Sequence, residues 1–402
     1  MTTPGGPAGQ QTVRRHNLGL ISTALAEGPN SRAVLAQRTG LTKATVSSLV
    51  DDLIARRIAV EGEPAATGVG RPARPVQLDP DGPVALGVEI NVDYLAACVL
   101  DLTGTLRCYR HRPMADRGAD PAGILAQAVA LAEAVAGEVG QPLLGAGLAL
   151  PGVVDPGGTV LRAPNLPSLT GTAPGRQLAA ALGLPALLVD NEANLGALAC
   201  LRARPAIGPD FVYVSGEIGV GAGLVVAGEL FRGVHGSAGE LGHVVVTRDG
   251  PACGCGGRGC VEQYAGQEVL LRTAGQPDLD GLVDAVAAGD PAATAAVEQA
   301  GSALGVGLAS LLNVLDLPTV VLGGNYARLF DALVPTLAEE LDRRALAPLG
   351  AGWLSRSPLG IDAAVRGAAG AVLDRALRDP AGLTGSGASS GSSTPWRTPR
   401  TG

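Results

Sequence analysis

Aromatic residues make up only 2% of this 402-residue chain, and Lys43 is its single lysine. No run of about eighteen apolar residues occurs, so we expect no membrane-spanning helix. The N-terminal residues MTTPGGPAGQQ lack the basic and then apolar pattern of a signal peptide, so secretion by that route is not predicted. Six cysteines without such a signal argue against a disulfide framework and favour the cytoplasm.

The charge is divided unevenly along the chain, which has a net charge of -7. Residues 1–80 contain nine basic and six acidic side chains, whereas the rest contains 21 basic and 31 acidic ones. A basic N-terminal segment before an acidic body predicts a nucleic-acid partner for that segment only. The length permits two or three domains, whose cores would be packed mainly by alanine, glycine, valine and leucine.

Half of the cysteines and one of the four histidines lie in one glycine-rich segment, residues 239–264. Three thiolates and one imidazole form the ligand set of a closed tetrahedral zinc site. A disulfide is the alternative, but the two thiols of a Cys-x-Cys pair bridge poorly. We therefore predict a structural zinc ion with no open position for chemistry, bound by His243, Cys253, Cys255 and Cys260.

The same segment resembles the signature of the ROK family, whose name stands for repressor, open reading frame and kinase. The matching patterns are Gly-Glu-x-Gly-His at residues 239–243 and Cys-x-Cys-Gly-x-x-Gly-Cys-x-Glu at residues 253–262. The family contains sugar kinases and sugar-responsive regulators built on the same body. The resemblance extends to about residue 375 and implies an α/β body of the actin, hexokinase and Hsp70 (ASKHA) type, in which two lobes enclose a cleft.

Residues 12–80 predict a winged helix-turn-helix domain. Three helices are expected, the second capped by Ser31 and the third by Thr42, with a tight turn between them. Two short strands, 58–61 and 76–78, would flank the wing. A three-helix dimerisation or adaptor module is the alternative, but helix spacing, charge and wing together favour DNA binding. The resemblance points the same way, since regulators of the family carry such a head and its kinases lack it.

The third predicted helix is the candidate DNA-reading helix. Its side chains outside the buried stripe are small, polar or basic, as the major groove requires. Arginines of the wing, stiffened by neighbouring prolines, suit a narrow minor groove with its concentrated negative potential. We predict DNA contacts at Thr42, Lys43, Thr45, Ser47, Ser48, Arg71 and Arg74.

From Pro83 the pattern changes to alternating buried strands and apolar helices, which predicts the two-lobed body over residues 83–378. An amphipathic helix is expected at 124–135 and an apolar helix at 301–315. Strands are expected at 84–90, 94–102, 144–150, 187–189, 211–215, 222–226 and 319–322. Residues 382–402 are rich in glycine, serine, threonine and proline and are predicted to be disordered.

Two departures from the kinase pattern argue against catalysis. The resemblance implies an Asp-x-Gly-Gly-Thr loop that approaches phosphate closely, but this loop carries the larger or charged side chains Glu89, Asn91, Val92 and Asp93. In the second pattern, Asn-Asp-x-Asn, Glu192 replaces the aspartate that acts as catalytic base in the kinases. The longer side chain displaces the base from its substrate. We therefore predict no catalytic residues and no phosphoryl transfer.

The positions that contact sugar in the family are better kept. Amides and carboxylates suit this role because each can form paired hydrogen bonds with neighbouring hydroxyls. Any one of these residues could instead cap a turn or lie in a solvated loop, but together, on separate loops, they favour a polyol pocket. The resemblance implies effector contacts at Asn165, Asn191, Glu192, Glu240, His243 and Glu262.

These features together predict a cytoplasmic transcriptional regulator, most simply a repressor. It would bind duplex operator DNA through the head and a small carbohydrate effector in the body. Because a palindromic operator presents two half-sites, we expect a homodimer or homotetramer. Two alternatives remain: a bifunctional sugar kinase, and a regulator whose body binds a protein partner rather than a sugar.

Overall fold

The computed structural model describes residues 9–63, 74–114, 120–203 and 207–383. The N-terminal part, called the head below, contains three helices and a two-stranded antiparallel sheet. Its elements are α1 (Gln10–Ala26), α2 (Arg32–Thr39), α3 (Lys43–Ala55), β1 (Ala59–Glu61) and β2 (Val76–Leu78).

Both predicted helix caps of the head are confirmed. The Ser31 hydroxyl accepts a hydrogen bond from the Val34 amide, and the Thr42 hydroxyl accepts one from the Thr45 amide, each at 3.2 Å. Such bonds satisfy amides that have no partner inside the helix. Gly40 ends α2 in the left-handed conformation, with φ of 70°, so the chain turns sharply into α3.

The first lobe of the body contains a mixed five-stranded sheet. Its elements are β3 (Val84–Ile90), β4 (Tyr94–Leu100), β5 (Leu106–Pro113), α4 (Pro121–Val139), β6 (Leu143–Leu150), β7 (Val153–Val154), β8 (Val160–Arg162), α5 (Pro174–Ala181) and β9 (Leu187–Asn191). The strand order is β5-β4-β3-β6-β9, with the first two pairs antiparallel and the last two parallel. All of β3 is buried, as expected for a central strand covered on both faces.

The second lobe repeats this topology. Its elements are α6 (Glu192–Ala203), β10 (Phe211–Gly216), β11 (Val220–Val226), β12 (Glu229–Phe231), α7 (Glu262–Ala265), α8 (Gln267–Ala274), α9 (Leu279–Ala287), α10 (Pro291–Leu315), β13 (Val320–Gly323), α11 (Gly324–Arg328), α12 (Phe330–Arg344) and β14 (Leu354–Arg356). The chain then returns to the first sheet as α13 (Ala363–Arg378). The order is β12-β11-β10-β13-β14, again antiparallel and then parallel. The predicted two-lobed α/β body is confirmed.

Several element limits differ from those predicted. Helix α10 begins at Pro291, well before residue 301, because the Asp290 side chain caps it by accepting from the Ala293 amide. Strand β5 was missed because its sequence is largely polar and its residues are mostly exposed, as at a sheet edge. The first two residues of the predicted disordered tail belong to a short 3-10 turn, Pro380–Leu383, and residues 384–402 lie outside the described residues.

Two helices qualify by length and composition as membrane spans, although none was expected. Helix α4 has 19 residues and α10 has 25, and both are apolar enough. More than half of the apolar window of α10 is buried in the core of the second lobe. The buried side chains of α4 belong to the core of the first lobe. The apolar composition of α10 is therefore used mainly for packing, whereas 33% of the window of α4 is buried.

Helix α13 packs between elements of the body and has glycine at its closest approach to α6. A side chain at Gly367 would place its Cβ 1.9 Å from the Leu195 carbonyl oxygen of α6. On another side, α13 packs against β3 and β6 of the first sheet. Because α6 in turn packs on β10 and β11, the pair α6–α13 separates the two sheets.

The C-terminal end of α13 also packs against the head. Apolar side chains of α1 and α13, including Leu18, Ile21, Leu373 and Leu377, belong to one buried cluster. Ser22 donates a hydrogen bond to the Leu377 carbonyl, and Arg15 of α1 forms an ion pair with Asp379. The head is thus packed directly on the body.

We expect Gly19→Ala to destabilise the contact between α1 and α13. The added Cβ would lie 2.2 Å from the Arg378 carbonyl oxygen, a backbone atom that cannot rotate away. Overpacking of this kind costs about 1–3 kcal/mol, measurable by chemical denaturation. The control is Gly137→Ala in α4, where no atom lies within 4 Å of the new Cβ, so a small gain in stability is expected. Equal effects of the two substitutions would contradict the close contact.

Candidate functional site

The predicted metal ligands lie in a loop region between β12 and α7. His243 ends a short 3-10 helix, Leu241–His243, and the three cysteines follow before α7. Their four candidate ligand atoms all lie within 4.8 Å of one another. The structure therefore brings together all four side chains that the sequence predicted.

The spacing of the ligand atoms fits a tetrahedral metal site. The sulfur atoms of Cys255 and Cys260 are 3.7 Å apart, and the Cys253 sulfur is 3.7 Å from Nδ1 of His243. Zinc–sulfur bonds of about 2.3 Å in tetrahedral geometry separate two sulfurs by about 3.8 Å. The Gly257 amide donates to the Cys255 sulfur at 3.4 Å and lowers the pKa of that thiol, which favours the thiolate that a metal requires.

The four candidate ligands, His243, Cys253, Cys255 and Cys260, are called the metal cluster below. His243 lies between this cluster and the cleft. With Nδ1 facing Cys253, its Nε2 atom lies 3.8 Å from the Glu240 carboxylate. A carboxylate next to the second nitrogen orients a metal-binding imidazole. Arg162 of the first lobe donates to the Cys255 carbonyl at 2.7 Å, so the metal-ligand loop also contacts the opposite lobe.

A cavity between the lobes contains every candidate effector residue. Its walls come from the ends of β6 and β9, the turn into β11, the loop before His243 and the start of α7. The side chains predicted to bind an effector all line it: Asn165, Asn191, Glu192, Glu240, His243 and Glu262. Burial raises the pKa of Glu240.

Not all of these side chains are equally available to a ligand. Asn191 accepts hydrogen bonds from the amides of Ala193 and Asn194 and donates to the Gly152 carbonyl, so its amide holds the start of α6 in place. Glu192, by contrast, has a buried Oε2 atom without a hydrogen-bond partner. Burial raises its pKa well above the ordinary value, with the neighbouring Glu217 as the next cause. This carboxyl group therefore keeps its proton to higher pH than an ordinary glutamate.

Asn194 was not singled out from the sequence. It is buried, lines the cavity and has a buried Oδ1 atom without a partner. It lies in the first turn of α6, three residues after Asn191, which ends β9 and accepts from the amides of that turn. That spacing was visible in the Asn-Glu-Ala-Asn pattern and was the available signal.

The cavity is small in this conformation. Its volume is about 50 Å³, whereas a cavity of about 150 Å³ is known to bind benzene. A monosaccharide is larger than benzene, so its entry requires the lobes to separate or the lining side chains to move.

The candidate DNA-binding residues of α3 differ in their surroundings. Lys43 is exposed at the first position of the helix, and Thr42 and Thr45 are linked by their hydroxyls at 2.8 Å. Ser47 is half-buried and accepts a hydrogen bond from Arg32, whereas Ser48 is exposed and lies 3.5 Å from Arg14.

Arginines of the head neutralise the acidic residues of α3. Arg32 pairs with Asp51 at 2.8 Å, and Arg14 pairs with Asp52 at 2.9 Å. In the predicted wing, the exposed Arg74 lies 4.0 Å from Glu61, while Arg71 lies outside the described residues. Arg14 and Arg32, which the sequence interpretation did not include, thus reduce the repulsion that Asp51 and Asp52 would exert on DNA phosphates.

Comparison with known proteins gives matches over most of the chain. The ROK family model matches residues 85–375. The xylose repressor of Bacillus subtilis (strain 168) is 28% identical over 366 residues, which cover 89% of this chain and 94% of the repressor.

Two solved structures also match the chain, but they cover different shares of it. A ROK family transcriptional regulator, a homologue of the E. coli MLC protein, has a TM-score of 0.77 and 25% identity and covers 91% of this chain and 97% of its own. A ROK family glucokinase from Streptomyces griseus, in complex with glucose and AMPPNP, has a TM-score of 0.63 and 28% identity. It covers 71% of this chain and 98% of its own.

We expect the purified protein to contain one zinc ion per chain without added metal. Cys255→Ser should remove that zinc and lower the melting temperature, because metal binding contributes directly to folding stability. Elemental analysis and thermal denaturation measure both. Cys108→Ser, which changes a thiol of the first lobe outside the cluster, should keep the zinc. A fully folded wild-type protein without metal would refute the site.

Proposed function

This chain belongs to the ROK family, and we propose that it is a sugar-responsive transcriptional repressor. The observation that carries the proposal is that a xylose repressor matches 89% of the chain, including residues before the family domain. The glucokinase structure matches only 71%. The division into a head at 12–80 and a body at 83–378 is part of the proposal.

We propose that the head is a winged helix-turn-helix that binds operator DNA. The sharp turn at Gly40 and the exposed start of α3 support this, because helices of this type present their N-terminal residues to the major groove. Thr42 and Thr45 form a local pair that orients the helix start, and Lys43 supplies the positive charge. The pairing of Asp51 and Asp52 with arginines keeps the DNA-facing side from repelling phosphate.

We propose that the cavity of the body binds an unphosphorylated sugar. Amides and carboxylates line it, and the described residues of its lining include no lysine or arginine. A phosphate group would meet Glu240 and Glu262 without a compensating lysine or arginine in the lining. The hydroxyls of a neutral sugar, in contrast, satisfy the unpartnered oxygens of Glu192 and Asn194.

The metal cluster is proposed to bind zinc in a structural role. His243, Cys253, Cys255 and Cys260 would supply all four ligands, which leaves no position for water or substrate. Zinc would then stabilise the loop that carries Glu240 and hold His243 beside that carboxylate.

We propose that the protein does not phosphorylate its sugar. Side chains of the first phosphate-binding pattern form hydrogen bonds inside the protein: Asn91 contacts Glu89 of the same pattern and Glu217 of the second lobe. These side chains fill the space where a nucleotide phosphate would have to lie. Glu192 also replaces the aspartate of the kinase pattern, and its longer side chain displaces the base from the sugar hydroxyl. The alternative, a bifunctional kinase, rests on the similarity to the glucokinase structure.

A cytoplasmic homodimer or homotetramer completes the proposal. Two heads on one oligomer match a palindromic operator, and effector-driven movement of the lobes would change their spacing. The packing of α1 on α13 supports such coupling, because the head cannot move independently of the body at that contact.

We expect the protein to bind duplex DNA with an affinity that falls steeply as salt increases, because phosphate contacts release counterions. Lys43→Ala should weaken binding by about 1–3 kcal/mol and change base preference, whereas Arg71→Ala should weaken all sequences similarly. Fluorescence anisotropy over a series of salt concentrations measures both. Arg343→Ala, at an exposed position of α12, is the control and should have no effect. Affinity independent of salt would exclude the proposed head function.

We expect an unphosphorylated hexose or pentose to raise the melting temperature, while ATP turnover with the same sugars stays at background. At about 100 times its dissociation constant, a ligand stabilises the folded state by about 2.7 kcal/mol. Glu240→Ala should abolish the shift while the zinc content is unchanged, and the exposed Glu339→Ala should keep it. Turnover of about one per second with any sugar would instead support the kinase. If no sugar shifts the melting temperature, the cavity is not an effector site.

A further inference from the structure

Two carboxyl groups from opposite lobes meet in the interior between the sheets. Glu89 lies in β3 of the first lobe and is 1% exposed, and Glu217 follows β10 of the second lobe and is 9% exposed. Asn91 and Tyr94, both of the first lobe, contact the two carboxyl groups. We call these four side chains the carboxyl cluster; they lie outside the lining of the effector cavity.

The hydrogen bonds of the cluster require one more proton than its two donors supply. The Tyr94 hydroxyl lies 2.8 Å from Glu89 Oε1 and 3.1 Å from Glu217 Oε2. The Asn91 amide lies 3.3 Å from Glu89 Oε1 and also contacts Glu217 Oε2. Amide and hydroxyl together have three protons for these four contacts. All four become hydrogen bonds only when one carboxyl group is protonated and donates to the tyrosine oxygen.

The surroundings of the two carboxyl groups favour their protonated form. Burial and, next, the charge of Glu217 raise the pKa of Glu89 to about 8, although the hydrogen bonds from Tyr94 and Asn91 lower it. Burial also raises the pKa of Glu217 to about 7, although the hydrogen bonds from Tyr94 and Asn91 lower it. Asp93, Glu192 and Asp362 add negative charge near the pair, and Ser215 donates a hydrogen bond to Glu217. The nearby cation Arg366 of α13 is paired with Asp362 at 3.5 Å.

We propose that the carboxyl cluster is a proton-dependent clasp that holds the two lobes together. With one shared proton, Asn91 and Tyr94 join Glu89 to Glu217 across the interface. When that proton leaves, two buried carboxylates face each other with too few donors, and repulsion favours separation of the lobes. The small volume of the effector cavity is consistent with lobes held in a closed arrangement.

The proposed clasp has a definite pH dependence. In an open arrangement both carboxyl groups contact water, and each has the ordinary glutamate pKa of about 4.5. In the closed arrangement the pair retains a proton to higher pH. The closed state therefore binds more protons, and closure is strongest at low pH. It weakens as the pH rises from about 4.5 to about 8, by up to about tenfold per pH unit for each proton released on opening.

Small-angle X-ray scattering of the full chain without ligand tests the clasp between pH 5.5 and 9. For the wild type, we expect the radius of gyration to increase with pH and to level off above about pH 8. Glu217→Gln has a similar shape to the protonated carboxyl group and carries no charge at any pH, so the repulsion between the two carboxylates cannot develop. This variant should stay compact up to pH 9.

Two further variants make the result decisive. Glu89→Gln should stay compact like Glu217→Gln. It replaces Glu217→Gln in the test if circular dichroism shows that Glu217→Gln does not fold. Glu133→Gln, which removes one exposed carboxylate of α4, should expand with pH like the wild type. A wild type of constant size, or a glutamine variant that expands like the wild type, would overturn the clasp. Because the test uses neither DNA nor sugar, its outcome is independent of the proposed repressor function.

Discussion

The arrangement of head and lobes depends on close backbone contacts along α13. At Gly367 a side chain on α13 would overlap the backbone of α6, and at Gly19 a side chain on α1 would overlap the end of α13. Helices can approach this closely only where side chains are absent or small, and dispersion contacts then accumulate along their whole length. The body can therefore change shape only if α13 slides against its neighbours or carries them with it. Any such shift reaches the head through α1.

The metal cluster and the cavity are connected through one side chain, His243. His243 is a candidate ligand through Nδ1 and faces Glu240 through Nε2, so a change of its ring orientation would affect both. Arg162 extends this connection to the first lobe by its bond to the Cys255 carbonyl. A rigid loop in this place fixes the acidic side of the cavity, whereas the opposite side at Asn191 is fixed by the first turn of α6.

Features encoded by neighbouring residues could be predicted from the sequence. The caps at Ser31 and Thr42 and the grouping of three cysteines with His243 all depend on short spacings, and the family resemblance located the six cavity residues. The contact between Glu89 and Glu217 could not be predicted, because those residues are far apart in sequence and meet only when the lobes pack. The sequence showed what Glu89 replaces but not what it touches. Likewise, the role of the small residues in α13 could not be predicted, because it depends on neighbouring backbones that are distant in sequence.

The position of α13 also bears on how the chain folds during synthesis. The buried face of α1, with Leu18 and Ile21, is completed by Leu373 and Leu377, which the ribosome adds more than 300 residues later. Until then the nascent head exposes an apolar surface, and such surfaces are prone to aggregation or chaperone binding. A contact this distant in sequence also slows folding, because a long loop must close before the contact forms. The head is made before the body, yet it reaches its final packing only when α13 has emerged.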